Sequence, residues 1–218
     1  MLIKSYLKGI LLLFSMSICS ANSEVVSDIQ VSGLRIKIER NKEKLCLNGY
    51  NYYFTLEGII GADAREIMSR TIDTIDPCLY KPYNKRVKTQ VYLNSGGGYL
   101  VDGVRLGEFF RENNIQTEVS DGKICASACA IAFLGGTTRV MKGKSILLFH
   151  SPYRETGIGI DCSDKKARSF FKGSLVKFMG EIDGGYLFDR AMSYCSNEDG
   201  WAINKDAAKV FHIANYDK

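Results

Sequence analysis

Ser127 lies among small residues, Cys125-Ala126-Ser127-Ala128-Cys129, and a little over twenty residues later an apolar run ends in Phe149-His150-Ser151-Pro152. A serine hydroxyl is a poor nucleophile until a neighbouring base takes its proton, and imidazole is the commonest such base. The chain has only two histidines, His150 and His212, so histidine chemistry has two candidates. A third motif, Asn94-Ser95-Gly96-Gly97-Gly98, offers bare backbone that can approach a ligand closely. It fits neither G-x-x-x-x-G-K-[ST] nor G-x-G-x-x-G, so amide donors to an oxyanion suit it better than a phosphate cradle. An acid to orient the imidazole would complete the set. Asp199 and Glu198, in Ser196-Asn197-Glu198-Asp199-Gly200-Trp201, are candidates, with Asp121, Asp161 and Asp164 as rivals. Each residue also has a plainer structural use: a helix cap, a tight turn, a buried histidine, a turn carboxylate.

The elements that would position these groups follow from periodicity. Residues 22–30 read as a loose leader. Residues 34–38 alternate as a strand, and 52–60 form a second strand-like run. A helical pattern opens at 61–64, carries Ile67, Met68, Thr71, Ile72 and Ile75 on one face, and stops before Pro77. A strand over 87–93 leads into a glycine turn at 95–98 and then an amphipathic helix over 100–113. A short strand at 116–119, an apolar helix over 126–134 and a buried strand over 145–149 come next. Residues 153–166 read as a loop, with helices expected over 167–182, 186–194 and 206–211. Strands alternating with helices imply parallel crossovers and an α/β fold. In such sheets, strand ends line a common crevice, which is where the serine, the glycines and the histidine fall.

The first 21 residues read as an export signal: Lys4 and Lys8, an apolar stretch from Gly9 to Ile18, then small residues at Ser20 and Ala21. That stretch is shorter than a membrane span, so no stable span is expected after cleavage. Cleavage would remove Cys19 and lower the net charge from +5 to +3 by taking Lys4 and Lys8. So mild a charge argues against nucleic acid, and the cluster Lys81, Tyr83, Lys85, Arg86 and Lys88 reads as a solvated loop. Six cysteines remain, an even number suited to disulfides in an exported chain. The pairs expected are Cys46–Cys78, Cys125–Cys129 and Cys162–Cys195. Zinc is not expected, since Cys125-x-x-x-Cys129 has no second close pair of ligands. The rest reads as a leader and edge strand over 22–45 and a single domain over 46–218.

Taken together, Phe54 to Ile60, Val91 to Gly98, Cys125 to Cys129 with Ala132 to Gly135 and Arg139, and Leu148 to Pro152 resemble the ClpP-like serine peptidases of the ClpP/crotonase superfamily. The resemblance is to the exported, periplasmic branch, covers roughly residues 50–215, and is weakest over 153–195. Trp201 to Ala208 looks like the family's closing helix. Gly96 stands where the family has a proline. The resemblance implies a spiral of ββα units with mainly parallel strands, no cofactor and no metal. It implies that Ser127 attacks a peptide carbonyl, that His150 takes and returns the proton, that Asp199 orients His150, and that the amides of Gly98 and Ala128 hold the oxyanion. Peptides or unfolded segments are the implied substrates, in the periplasm or outside the cell, and the superfamily's habit of assembly makes a homo-oligomer plausible. A Cys125–Cys129 bridge would stiffen the serine's turn. Competing readings are a catalytically inactive peptide-binding scaffold of the same shape, an acyl-CoA enzyme, and a serine–lysine dyad using Lys142 or Lys144.

Overall fold

The structure is a computed structural model that describes residues 23–81 and 85–216. The expected export signal over 1–21 lies outside the described residues, as does Tyr83. Among the described residues no helix is long and apolar enough to cross a membrane.

The chain runs through β1 (Glu24–Val31), β2 (Leu34–Asn41), β3 (Asn51–Ile60), α1 (Ala62–Ile72), β4 (Leu79–Tyr80), β5 (Lys85–Arg86) and β6 (Gln90–Gly98). It continues through α2 (Leu100–Glu112), β7 (Gln116–Val119), β8 (Ile124–Ala126), α3 (Ala128–Gly135), β9 (Thr138–Met141) and β10 (Ile146–Phe149). The last third holds β11 (Arg154–Thr156), β12 (Gly159–Asp161), α4 (Lys165–Met179), α5 (Glu181–Ala191), β13 (Trp201–Asn204) and α6 (Lys205–Val210). The main sheet has the order β1-β2-β3-β6-β8-β10-β13, with β7 joined to β6 and β9 to β7. Its centre is parallel, as α/β crossovers require, and its margins β1–β2–β3 and β10–β13 are antiparallel. This is the mixed α/β architecture expected from the alternation.

Strand β6 changes partner along its length. Gln90 to Tyr92 pair with β7, whereas Ser95 pairs with Cys125 of β8. The strand's glycine end is thereby carried to the point where β8 turns into α3. Every residue of α3 is buried, and the helix packs against Val104, Leu106, Phe109 and Phe110 of α2 within one continuous core. An all-apolar helix of this kind is stable only inside the protein. Arg139 of β9 is itself buried, donates to the carbonyls of Ile213, Gly136 and His212, and so ties the end of the chain to the sheet. Desolvation pushes its pKa down to about 10.

Several elements depart from the pattern-based reading. Residues expected as a loose leader form β1, a solvent-facing strand closed onto β2 by a two-residue turn, Ser32-Gly33, with both φ angles positive (48° and 80°). That is a hairpin turn, and ion pairs Arg35–Asp28 (2.7 Å) and Arg40–Glu24 (2.9 Å) cross it. Its exposure hides the apolar alternation that marks a strand. The glycine segment 95–98 is the end of β6 rather than a separate turn, because Ile59 and Ile60 pair with Gly97 and Gly98. Strand β9 and the β11–β12 hairpin were not expected. Trp201 to Asn204 form a strand against β10, so the closing helix begins only at Lys205. Helix α4 starts at Lys165 because the Asp164 side chain accepts from the Lys166 and Ala167 N–H groups; the break before α5 falls at Gly180. Leu148 is half-buried, so β10 is not covered on both faces throughout.

The structure joins the three expected cysteine pairs, Cys46–Cys78, Cys125–Cys129 and Cys162–Cys195.

Candidate active site

Ser127 is the hinge between β8 and α3. Its backbone sits at φ 55°, ψ −123°, a region that a non-glycine residue occupies only under constraint. The constraint is visible on both sides. Its N–H donates to the Leu148 carbonyl at 2.8 Å, and its own carbonyl accepts from the Ile131 N–H at 3.1 Å. The Cys125–Cys129 disulfide closes the loop around it, with both cysteines fully buried. Ser127 is half-buried, and its hydroxyl makes no hydrogen bond to the described residues. Ala128 opens α3, whose first N–H groups have no partner within the helix and carry the positive end of its dipole.

The end of β6 presses against this turn. A Cβ on Gly97 would lie 2.6 Å from the Ser127 Cβ, and Gly97 adopts φ 116°. Only glycine permits both the approach and the conformation. The Gly97 N–H is already occupied, donating to Ser95 Oγ at 3.0 Å, while the Ser95 hydroxyl donates to the Gly58 carbonyl. Gly98, next along, reaches the cleft described below.

His150 follows β10 directly. Its Nδ1 lies 2.8 Å from the Ser151 carbonyl oxygen. A carbonyl can only accept, so Nδ1 carries a proton, and in the neutral ring this leaves the lone pair on Nε2, the tautomer a general base needs. Ser151 is fully buried, and its N–H donates to the Tyr194 carbonyl at 2.9 Å, which holds that carbonyl in place. The ring of Tyr153 packs beside the imidazole, 5.4 Å between centroids.

Asp199 is placed differently. It is exposed, its carboxylate accepts from the Gly200 N–H at 2.7 Å, and no hydrogen bond joins it to His150 among the described residues. Glu198 is also exposed. The rival acids are engaged elsewhere: Asp121 accepts from the Lys144 N–H, Asp161 from the Ser163 N–H, and Asp164 caps α4. Of the lysines weighed as a base, Lys142 pairs with Glu118 at 2.9 Å and neither it nor Lys144 lines the cleft. His212, the other histidine, faces Asp183 on a separate part of the surface.

Ser127, His150, Gly98 and Ala128 line one cleft of about 620 Å³. Its walls are Ile59, Leu100, Ile131, Phe149, Pro152 and Phe171, with Tyr99, Tyr153 and Glu155 at the polar positions. The wall residues come from six different elements and loops; Ile59, Phe149 and Pro152 fall in segments that carried the resemblance, whereas Leu100, Ile131 and Phe171 gave no signal beyond being apolar. The Ser151 carbonyl gave none at all, since every residue has one.

No protein-family model and no curated protein sequence matches the chain. Solved structures do. A mutant of the 1510-N membrane-bound stomatin-specific protease in complex with a substrate peptide superposes with a TM-score of 0.56 at 12% identity, over 74% of this chain and 71% of that one. A ClpP1 mutant from Listeria monocytogenes gives 0.54 at 15%, over 75% and 88%. The ClpP protease catalytic domain from Plasmodium falciparum gives 0.50 at 16%, over 72% and 79%. The chain has the ClpP-like fold. Identities this low carry the architecture and leave the chemistry to be argued from the side chains. Within the ClpP-like fold of this chain, the disulfide around Ser127 is a built-in brace. Replacing Cys125 and Cys129 together with alanine is expected to cost about 2 kcal/mol of stability from loop-closure entropy. A roughly tenfold slower reaction of Ser127 with a serine-directed probe should accompany it, as the turn loosens. Urea unfolding and labelling kinetics check the two effects separately.

Proposed function

We propose that this protein is an exported serine peptidase that hydrolyses peptide bonds in short or unfolded substrates. One observation carries the reading: a serine in a constrained turn and a histidine whose Nδ1 is held by a backbone carbonyl line one cleft beside the backbone of Gly98 and Ala128. In the proposed reaction Ser127 Oγ attacks the substrate carbonyl and His150 Nε2 takes its proton. The developing oxyanion is held by the amides of Gly98 and Ala128, donors of a kind whose loss costs about 3–4 kcal/mol of transition-state binding. His150 then protonates the leaving amine, and a water activated by the same nitrogen releases the acyl group. The Ser151 carbonyl supports the imidazolium and fixes its orientation. Asp199 would take that part only if its carboxylate displaced the Ser151 carbonyl from Nδ1. The three disulfides are compatible with an oxidising compartment outside the cytosol.

A fluorophosphonate probe tests the proposal. The folded, disulfide-intact protein is expected to label at Ser127 and the Ser127→Ala protein not to label. Absence of labelling in the folded wild type would overturn the reading in favour of a peptide-binding scaffold.

A further inference from the structure

Among the residues lining the cleft, Glu155 is the one with a carboxylate, and no lysine or arginine lines it. Glu155 is exposed at the rim. Among the described residues its carboxylate makes one long hydrogen bond, 3.5 Å from Asn197 Nδ2, and no ion pair. Its strand neighbour Arg154 pairs with Asp164 instead, at 3.1 Å, as successive strand residues on opposite faces would. The hairpin that presents Glu155 is held at both ends of its loop: Arg154 by that ion pair, and the residue after β12 by the Cys162–Cys195 disulfide. Two tyrosines, Tyr99 and Tyr153, line the same cleft.

This is a specific combination. An apolar wall accepts the methylene stem of a long side chain, tyrosine faces attract a cation, and an unneutralised carboxylate meets its charged head. A glutamate side chain entering there would meet like charge. We propose that Glu155 is a specificity-determining residue that selects peptides carrying a lysine or arginine side chain in the cleft. The proposal rests on the peptidase reading for turnover, but the recognition it describes is independent of the chemistry.

The experiment therefore reads binding first. Labelled apolar octapeptides, with a single arginine scanned through each position, are titrated by fluorescence anisotropy against the full chain carrying Ser127→Ala, which blocks turnover. At one position arginine is expected to tighten binding about fivefold over leucine, the size of a part-exposed ion pair, and glutamate to weaken it comparably. Adding Glu155→Gln should erase the arginine preference, and Glu155→Lys should turn it into a glutamate preference. Equal affinities across the scan, or an arginine preference that survives Glu155→Lys, would overturn the proposal. Wild-type turnover of the same peptides is read alongside. An intact arginine preference with no turnover and no probe labelling would sink the peptidase reading and leave this one standing.

Discussion

Peptide hydrolysis by the His150→Ala protein is expected to fall about 10⁶-fold, the scale seen when the base of a serine–histidine unit is removed. The Ser127 hydroxyl makes no hydrogen bond among the described residues, so in the proposed reaction it relies on Nε2 of His150, which lines the same cleft, to take its proton. Stability should change little, within about 1 kcal/mol, because His150 is half-buried and loses one hydrogen bond. The informative contrast is Asp199→Asn. With Nδ1 already committed to the Ser151 carbonyl, this variant is expected to keep activity within about tenfold of wild type, set against the roughly 10⁴-fold loss where a carboxylate orients the histidine. Measuring kcat/KM for the two variants on one peptide decides the matter. A 10⁴-fold loss in Asp199→Asn would mean that the carboxylate swings onto His150 when substrate binds.

Gly97→Ala is expected to lower activity about 100-fold, the cost of misplacing a reacting group by a fraction of an ångström to an ångström. The added Cβ would sit 2.6 Å from the Ser127 Cβ and 2.9 Å from the Ala126 carbonyl oxygen, closer than packed atoms tolerate. Either β6 or the serine turn must give way. The backbone angle of 116° adds strain of about 1–3 kcal/mol for any residue with a side chain. Gly96→Ala is the control, because nothing lies within 4 Å of its would-be Cβ. Labelling rates and urea midpoints for the pair separate an effect on Ser127 from a general loss of stability. A Gly97→Ala protein that labels at the wild-type rate would show that β6 does not position the nucleophile.

The α/β class was legible because α2, α3, β3 and β10 each carry a strong local pattern, and periodicity is a local property. Strand β1 was not, because both its faces are largely exposed and its stability comes from backbone pairing and ion pairs. Strand β13 was obscured by the helix beside it: Trp201 and Ile203 are buried while Ala202 and Asn204 are exposed, an alternation too short to separate from α6. Ser127, His150, Gly98 and Ala128 were legible as candidates because each sits where a strand ends or a helix begins; the even number of cysteines pointed to disulfides, but nothing local singled out the pairing among fifteen that the structure joins.

By itself, the order of residues determined which chemistry was available: one serine in a small-residue turn, one histidine after an apolar strand, a run of glycines, and cysteines enough for three disulfides. The tertiary structure decided which of these meet. The transfer of β6 from β7 to β8 brings Gly97 against Ser127, and the parallel pairing of β8 with β10 brings Leu148 beside it and His150 into the same cleft. It also decided that a backbone carbonyl, with no signature in any sequence, faces Nδ1 of the histidine, and that Glu155 reaches the cleft from a hairpin far along the chain. The reason is physical: side-chain periodicity is set by neighbours a few residues away, whereas convergence depends on crossovers and register that join residues with no local relation.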